Sequence, residues 1–401
     1  MLTRLPIPLV PFGRHSRTWI CCVLAVCLLA LGSGCSRFHQ EKHDTVYLWA
    51  RQMYLHDRVA AVSNRVAAVV NGQQLEVLEH GRRFLKVRTE KNEIGWIEER
   101  AVIDSTIYDA FVQLAKQNKD DPVVATGTVR DDVYLHLKPG RETDRFYLLP
   151  ANAKVQLLVR ASVPKTPLIV PQSRPTAQAP IKSSPASGSQ RPAAPRSAEA
   201  VPSEPEAPPV VMEDWWLVRD GQGRAGWLLS GRVDVDVPDE IAQYAEGQRI
   251  VGAYVIAKVS DAEAATPDHR VPEYVTALGP PKSGLPFDFD QIRVFTWSVK
   301  RHRYETAYRL HPIQGYLPLR ITSQPGPGGT EPVFSFQIAD SQNLTVDPDT
   351  GIARPLAPRT VSFAMRDTQV RRTGSDLGPI PITHAPGEKS KPGQAEKKKR
   401  K

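Results

Sequence analysis

The chain has 401 residues, enough for two to four domains, and 41% hydrophobic content supplies real cores, while 36 prolines imply long stretches without regular structure. Its net charge of +9 sits at the ends: Arg4, Arg14 and Arg17 precede the first apolar run, and the segment from Glu388 onward carries seven Lys or Arg against Glu388 and Glu396. Setting aside that +3 and +5 leaves the body near +1, so composition makes no case for a nucleic-acid partner.

Trp19 to Leu31 is apolar, follows basic residues and ends in Gly32-Ser33-Gly34-Cys35. It is shorter than the roughly 20 residues of a bilayer span, and small residues before a cysteine suit a cleavage site, so residues 1–34 read as an export signal. Small residues followed by Cys35 resemble the lipobox of bacterial lipoproteins, with Leu31 one place further from the cysteine than that pattern has it. The resemblance implies that Cys35 is the lipid attachment site and first residue of an exported, membrane-anchored protein. Ser36 resembles the sorting residue for the periplasmic face of an outer membrane, in cells with two membranes. Cys21, Cys22 and Cys27 would leave with the signal, and a mature chain with one cysteine builds neither a disulfide framework nor a cysteine metal site. Residues 35–45 read as a polar tether. His39-Gln40-Glu41-Lys42-His43 has two His and a Glu in the wrong order for a zinc peptidase, so no metal or cofactor is expected.

From Val46 the chain says one thing twice. Tyr54-Leu55-His56 returns as Tyr134-Leu135-His136, and Leu75 to Leu78 returns as Val155 to Leu158, both displaced by 80 positions. Phe84 to Arg88 matches Trp215 to Arg219, and Gly95-Trp96-Ile97 matches Gly226-Trp227-Leu228, now displaced by 131, so the second copy carries an insertion of 51 residues. Leu75, Val77, Leu85 and Val87 alternate with Glu76, Glu79, Lys86 and Arg88, the period of half-buried strands, and Asn71-Gly72 marks a turn. Each copy reads as a small all-β unit closing into a partly open barrel, over 46–103 and 122–237.

The apolar strand Leu75 to Leu78, the aromatic strand Phe84 to Arg88 and the closing Gly95 to Ile97 resemble, in order and spacing, the bacterial Src-homology-3-like domain. The opening signature of that family is better kept in the second copy, Leu135-His136-Leu137-Lys138-Pro139-Gly140, than at Leu55 to Val59. The resemblance implies modules that recognise cell-wall peptide or polysaccharide, with peptidoglycan or envelope proteins as partners. Aromatics would supply the contact surface: Tyr54 and Phe84 in the first copy, Tyr134, Trp215 and Trp216 in the second. Trp96 and Trp227 are expected in the cores. Adjacent Trp215 and Trp216 on one strand point to opposite faces, so one of them is expected to be exposed.

Asp104 and Ser105 can cap a linking helix over 104–121, with Ile107, Phe111, Leu114 and Ala115 on one face. Residues 164–209 are dominated by Pro, Ala and Ser and are expected to be disordered, their two ends meeting because they feed adjacent strands. Pro238, Ile241, Tyr244 and Ala245 outline a short helix over 238–247. Residues 248–373 read as an antiparallel sheet or small sandwich with a hairpin of Ile292 to Val299 against Tyr304 to Leu310; 374–401 reads as a disordered basic tail. Asp347-Pro348-Asp349-Thr350-Gly351 looks like a strand connection rather than a calcium loop, and Asp288 and Asp290 cannot be read as a hydrolase pair from spacing alone.

The fold class is therefore mainly β: two SH3-like units, each followed by a helix, then an antiparallel β domain. The expected function is a non-enzymatic envelope lipoprotein that binds or scaffolds wall material or envelope proteins. The alternatives are an accessory subunit docking through its carboxy-terminal β domain, and a peptidoglycan hydrolase, which lacks a cysteine beyond Cys35 and a Gly-x-Ser-x-Gly elbow near a His.

Overall fold

The computed structural model describes residues 44–165, 210–339 and 343–381. The expected signal, Cys35, the tether up to residue 43, residues 166–209 of the insertion and the end of the tail lie outside them, while Thr45, the last residue of the expected tether, opens the first strand. Every strand and helix among the described residues belongs to the unit that begins at Thr45.

The fold is mainly β. The first module comprises β1 (Thr45–Leu48), β2 (Gln52–His56), β3 (Arg65–Val70), β4 (Gln74–His80), β5 (Phe84–Arg88), β6 (Ile94–Glu98) and β7 (Val102–Asp104), in the order β3-β2-β6-β5-β4-β1-β7. Helix α1 (Ser105–Gln117) starts where Asp104 accepts the Ile107 N–H at 3.0 Å. The second module follows with β8 (Ala125–Val129), β9 (Val133–His136), β10 (Arg145–Leu149), β11 (Lys154–Pro164), β12 (Met212–Asp220), β13 (Ala225–Leu229) and β14 (Val233–Val235), in the order β10-β9-β13-β12-β11-β8-β14. Strand for strand the two orders are the same. The repeat extends to register, since Val87 faces Gly95 and Val218 faces Gly226. Both ladders are open, β3 and β10 forming one end and β7 and β14 the other, so hydrogen bonding does not close the expected barrels.

The two glycines explain the shared Gly-Trp signature. A Cβ on Gly95 would lie 2.7 Å from Leu55 Cβ, and one on Gly226 would lie 2.7 Å from Leu135 Cβ, so only glycine lets β6 and β13 cross their neighbours this closely. The modules are fused rather than strung out. Tyr47 of the first stacks on Tyr108 of α1 at 3.8 Å and meets Phe146 of the second edge-on, while Phe111 of α1 lies wholly inside the second core. The insertion leaves and returns as expected, with Pro164 opposite Met212 and the Lys165 N–H donating to Val211 O at 2.7 Å.

After α2 (Asp239–Ala242), β15 (Arg249–Ser260), β16 (Arg270–Gly279), β17 (Gln291–Ser298) and β18 (Arg303–Leu310) form one antiparallel sheet. β19 (Gly315–Gly326), β20 (Gly329–Ile338), β23 (Arg359–Arg366) and β24 (Gln369–Thr373) form another, with the ribbon β21 (Leu344–Val346) and β22 (Ala353–Pro355) inserted. The two sheets bury one core in which Phe334, Phe336 and Phe363 stack, so this is the sandwich rather than the single sheet. The expected tail begins later than 374: Asp376 is held by Arg359 at 2.8 and 2.9 Å, and Ile380 packs on the sandwich core.

A buried guanidinium joins the second module to the sandwich, and Arg249 of β15 adds a longer contact to Asp214 at 3.5 Å. Arg160 of β11 donates to Asp288 Oδ1 (3.0 Å), Ser162 Oγ (3.0 Å), Leu285 O (2.8 Å) and Phe287 O (2.6 Å), and lies 3.2 Å from Asp214 Oδ1. The side chains of Arg160 and Asp214 are 4% and 1% exposed. Removing the cation alone leaves Asp214 buried with less compensation, so Arg160→Met is expected to cost about 3–5 kcal/mol. Urea unfolding should show the midpoint fall, with the sandwich and second module losing their common transition; an unchanged midpoint would count against the clamp.

Candidate functional site

Core residues set the outward face of the first module. Leu85, Val87 and Ile97 are buried, so alternation turns Phe84, Lys86, Trp96 and Glu98 to the other side of β5 and β6. Register puts Lys86 beside Trp96, and Trp96 beside His56 on β2. The Lys86 ammonium stands 6.0 Å from the centre of the Trp96 ring and 3.8 Å from Glu79, and Arg100 donates to Glu98 at 2.5 Å. A cleft of about 450 Å³ opens beside Phe84, lined by Arg83, Glu98, Glu99 and Arg100. Half-buried rings interleaved with charges of both signs can stack on a flat group and hydrogen-bond its edges, with both kinds of contact on one rigid sheet.

The same four positions in the second module are Trp215, Leu217, Trp227 and Leu229, and none carries a charge. They form an apolar layer with Leu158 and Ala161, covered by Leu114 of α1 and by Ile352 beside the β21–β22 ribbon. This corrects the expectation that Trp215 or Trp216 is exposed: they are 2% and 4% exposed. The two rings do point to opposite faces, Trp216 into the module core and Trp215 into the covered layer, but from Asp214 to Val218 both faces of β12 are buried. Trp216 also lines a larger recess of about 730 Å³ between this module and the start of the sandwich, near Arg249 and Ser230. Trp227 is a core residue as expected, whereas Trp96 is only half-buried because nothing among the described residues covers the first module in the same way. The sequence did carry a signal, since Lys86 and Glu98 become Leu217 and Leu229.

Tyr54 is 36% exposed on β2, two strands from Phe84, with the Arg65 guanidinium 4.1 Å above its ring. Tyr134 takes the equivalent place but is half-buried, its ring 5.6 Å from that of Trp49 and 5.5 Å from the Arg145 guanidinium. The repeated Tyr-Leu-His reveals a pair not anticipated from sequence. His56 Nδ1 lies 2.9 Å from Ser63 Oγ, and His136 Nδ1 lies 3.0 Å from Thr143 Oγ1. Thr143 Oγ1 is also 2.8 Å from the carbonyls of Lys138 and Gly140, so the hydroxyl is spent on fastening the loop between β9 and β10. Burial, aided by the Arg145 charge, pushes the His136 imidazole down to about 4.

The acidic clusters are structural. Asp288 accepts from Arg160 and from the Leu317 N–H at 2.9 Å, and Asp347 turns its carboxylate onto the N–H groups of Asp349 and Thr350, at 2.9 and 3.3 Å. Those N–H groups hold the Asp347 carboxyl below its usual range. Among the described residues no group of three His, Cys, Asp or Glu is placed to hold a metal ion, and no helix is long and apolar enough to cross a membrane.

No family model matches the chain, and no curated protein does. Among the solved structures that match, two from one organism do so at a low level. NlpC2 from Trichomonas vaginalis has 10% identity and a TM-score of 0.15, covering 86% of this chain and 97% of its own. NlpC1 from the same organism has 9% identity and a TM-score of 0.15, covering 78% and 93%. At that score the likeness carries no argument about fold or chemistry.

The His136 environment sets a pH dependence. Its ordinary value is 6.5 and its folded value about 4, so the unfolded chain takes up a proton that the folded chain refuses. The contribution is fully present above 6.5 and is lost as pH falls toward 4. Urea midpoints measured across that window should fall less steeply in a His136→Gln variant than in the parent, and equal slopes would remove His136 from the account.

Proposed function

We propose that this chain is a non-enzymatic scaffold of the bacterial envelope, anchored by lipid on Cys35, that holds wall material or envelope proteins on the outward face of its first SH3-like module. The observation that supports the reading most is the divergence of the two copies at four positions. Trp215, Leu217, Trp227 and Leu229 serve internal packing, and Phe84, Lys86, Trp96 and Glu98 keep rings and charges accessible. Burying the second face makes that module a keystone between α1 and the sandwich, which leaves ligand contact to the first. A platform of two rings, a lysine and a glutamate suits a polymer carrying flat amide and sugar faces with charged substituents, such as peptidoglycan. The described residues contain no cysteine, and the hydroxyls of Ser63 and Thr143, each within 3.0 Å of a histidine, sit at duplicated loop fasteners, which favours binding over acyl-transfer chemistry. A second reading, an accessory subunit docking through the sandwich, draws on the same scaffold and differs in partner.

Co-sedimentation of the chain from Ser36 onward with insoluble peptidoglycan sacculi separates the readings. Retention that drops about tenfold in Phe84→Ala and Trp96→Ala supports the wall-binding face. No retention at low salt points to a protein partner, and soluble fragments released from the sacculi would revive the hydrolase. Incorporation of a fatty-acid probe into the full chain, abolished in Cys35→Ala, is the expected outcome for the anchor; labelling that persists in the variant would refute it.

A further inference from the structure

The duplicated modules meet at a contact that exists once and has a second, open counterpart. Its receptor half lies on the edge of the second module. Asn71, in the turn after β3, donates its amide to Phe146 O at 2.9 Å and accepts the Leu148 N–H at 3.1 Å, so one side chain pairs with β10 as a neighbouring strand would. Beside it the Trp49 ring meets Tyr134 edge-on at 5.6 Å, and the Arg145 guanidinium stands 5.2 Å from Trp49 and 5.5 Å from Tyr134, a cation that both rings share. The donor half is preorganised, because Asn71 also donates to Trp49 O at 2.7 Å.

Every receptor group has a counterpart 80 positions earlier. Tyr54 stands for Tyr134, Arg65 for Arg145, Val66 for Phe146 and Ala68 for Leu148, and the registers agree: Tyr54 faces Ala68 as Tyr134 faces Leu148, and His56 faces Arg65 as His136 faces Arg145. The Asn71 N–H donates to Arg51 O, which makes Gln52–Val70 a non-hydrogen-bonded pair and, two residues along, Tyr54–Ala68 another. The Ala68 N–H therefore points away from β2, as the Leu148 N–H points away from β9. Arg65 already lies 4.1 Å over Tyr54 and is itself exposed, and Val66 and Val70 are 43% and 53% exposed. Among the described residues no ion pair engages Arg65, and no strand lies beyond β3.

We infer that the β3 edge with Tyr54 and Arg65 is a protein-docking site for a segment presenting an aromatic ring next to a side-chain carboxamide. The ring packs edge-on against Tyr54 and shares the Arg65 cation with it, and the amide pairs with Val66 O and the Ala68 N–H. The internal contact supplies this chemistry: the same receptor, where it is filled, takes a Trp and an Asn. A second copy of this chain is a poor occupant, because its own Trp49 and Asn71 are already engaged on its second module. The site lies on another strand from the Phe84–Trp96 platform and does not depend on what that platform binds.

The probe is a cyclic peptide joining Leu48–Trp49–Ala50–Arg51 to Val70–Asn71–Gly72–Gln73, two segments that already pair through the Gly72 N–H to Leu48 O at 2.8 Å and the Asn71 N–H to Arg51 O at 3.0 Å. Labelled with fluorescein, it is titrated with the chain from Ser36 onward and read by anisotropy. Saturable binding is expected, weakened about tenfold by Tyr54→Ala or Arg65→Glu in the protein and by Ala at the Trp or Asn of the peptide. Both protein variants alter exposed side chains, Arg65 on the edge strand and Tyr54 on the strand beside it, and unchanged thermal midpoints would show that they fold. Lack of saturation at millimolar protein, or binding indifferent to these four changes, overturns the inference whether or not sacculi retain the protein.

Discussion

Arg160 carries the constraint on which the shape of the described chain depends. A guanidinium has five N–H donors in a rigid plane and cannot shed its charge, so burying one requires acceptors in several directions at once. Here they come from two parts of the chain: Ser162 and Asp214 in the second module, and Leu285 O, Phe287 O and Asp288 in the segment leading into the sandwich. Asp214 is in turn held by Ser162 Oγ at 2.6 Å and the Gly284 N–H at 2.9 Å, and Asp288 by the Leu317 N–H. Such a network tolerates one arrangement of its partners, because sliding the sandwich along β11 would strand a buried charge.

That fixed junction explains how two copies of one module came to differ. Once the β21–β22 ribbon and α1 lie over β12 and β13, charges at the outward positions would be buried, and leucines and tryptophans replace them. The turn that seats Gly351 against Ser162 of β11, where a Cβ would come within 2.3 Å of the Ser162 carbonyl, shows how closely the ribbon approaches. No described element lies over the first module in this way, and its face keeps Lys86 and Glu98.

Much of this was legible beforehand, for identifiable reasons. Strands in both modules follow from alternation and from glycines at Gly95 and Gly226, and α1 follows from the Asp104 cap and the spacing of Ile107, Phe111 and Leu114, all local signals. The hairpin of β17 and β18 was visible in the same way. Burial of Trp215 and Trp216 was not, because a period of two says which side a residue takes and nothing about what lies over that side. The His136–Thr143 fastener was hidden because its partners are separated by a loop whose course no local pattern dictates. Residues 374–381 looked like tail by composition, and the Arg359–Asp376 pair that ties them down joins residues 17 apart.

By itself the sequence determined the duplication, the β character of both copies, the helix between them and the place where the insertion leaves and returns, since each rests on periodicity, turn chemistry or repetition within a few residues. Only the tertiary structure decided which copy keeps an open face, which edge strand is sealed by Asn71 and which stays bare, and that Arg160 binds the second module to the sandwich. Those outcomes depend on residues brought together from far apart in sequence, 75 positions between Asn71 and Phe146 and 128 between Arg160 and Asp288, where exposure is a property of the neighbour and not of the strand.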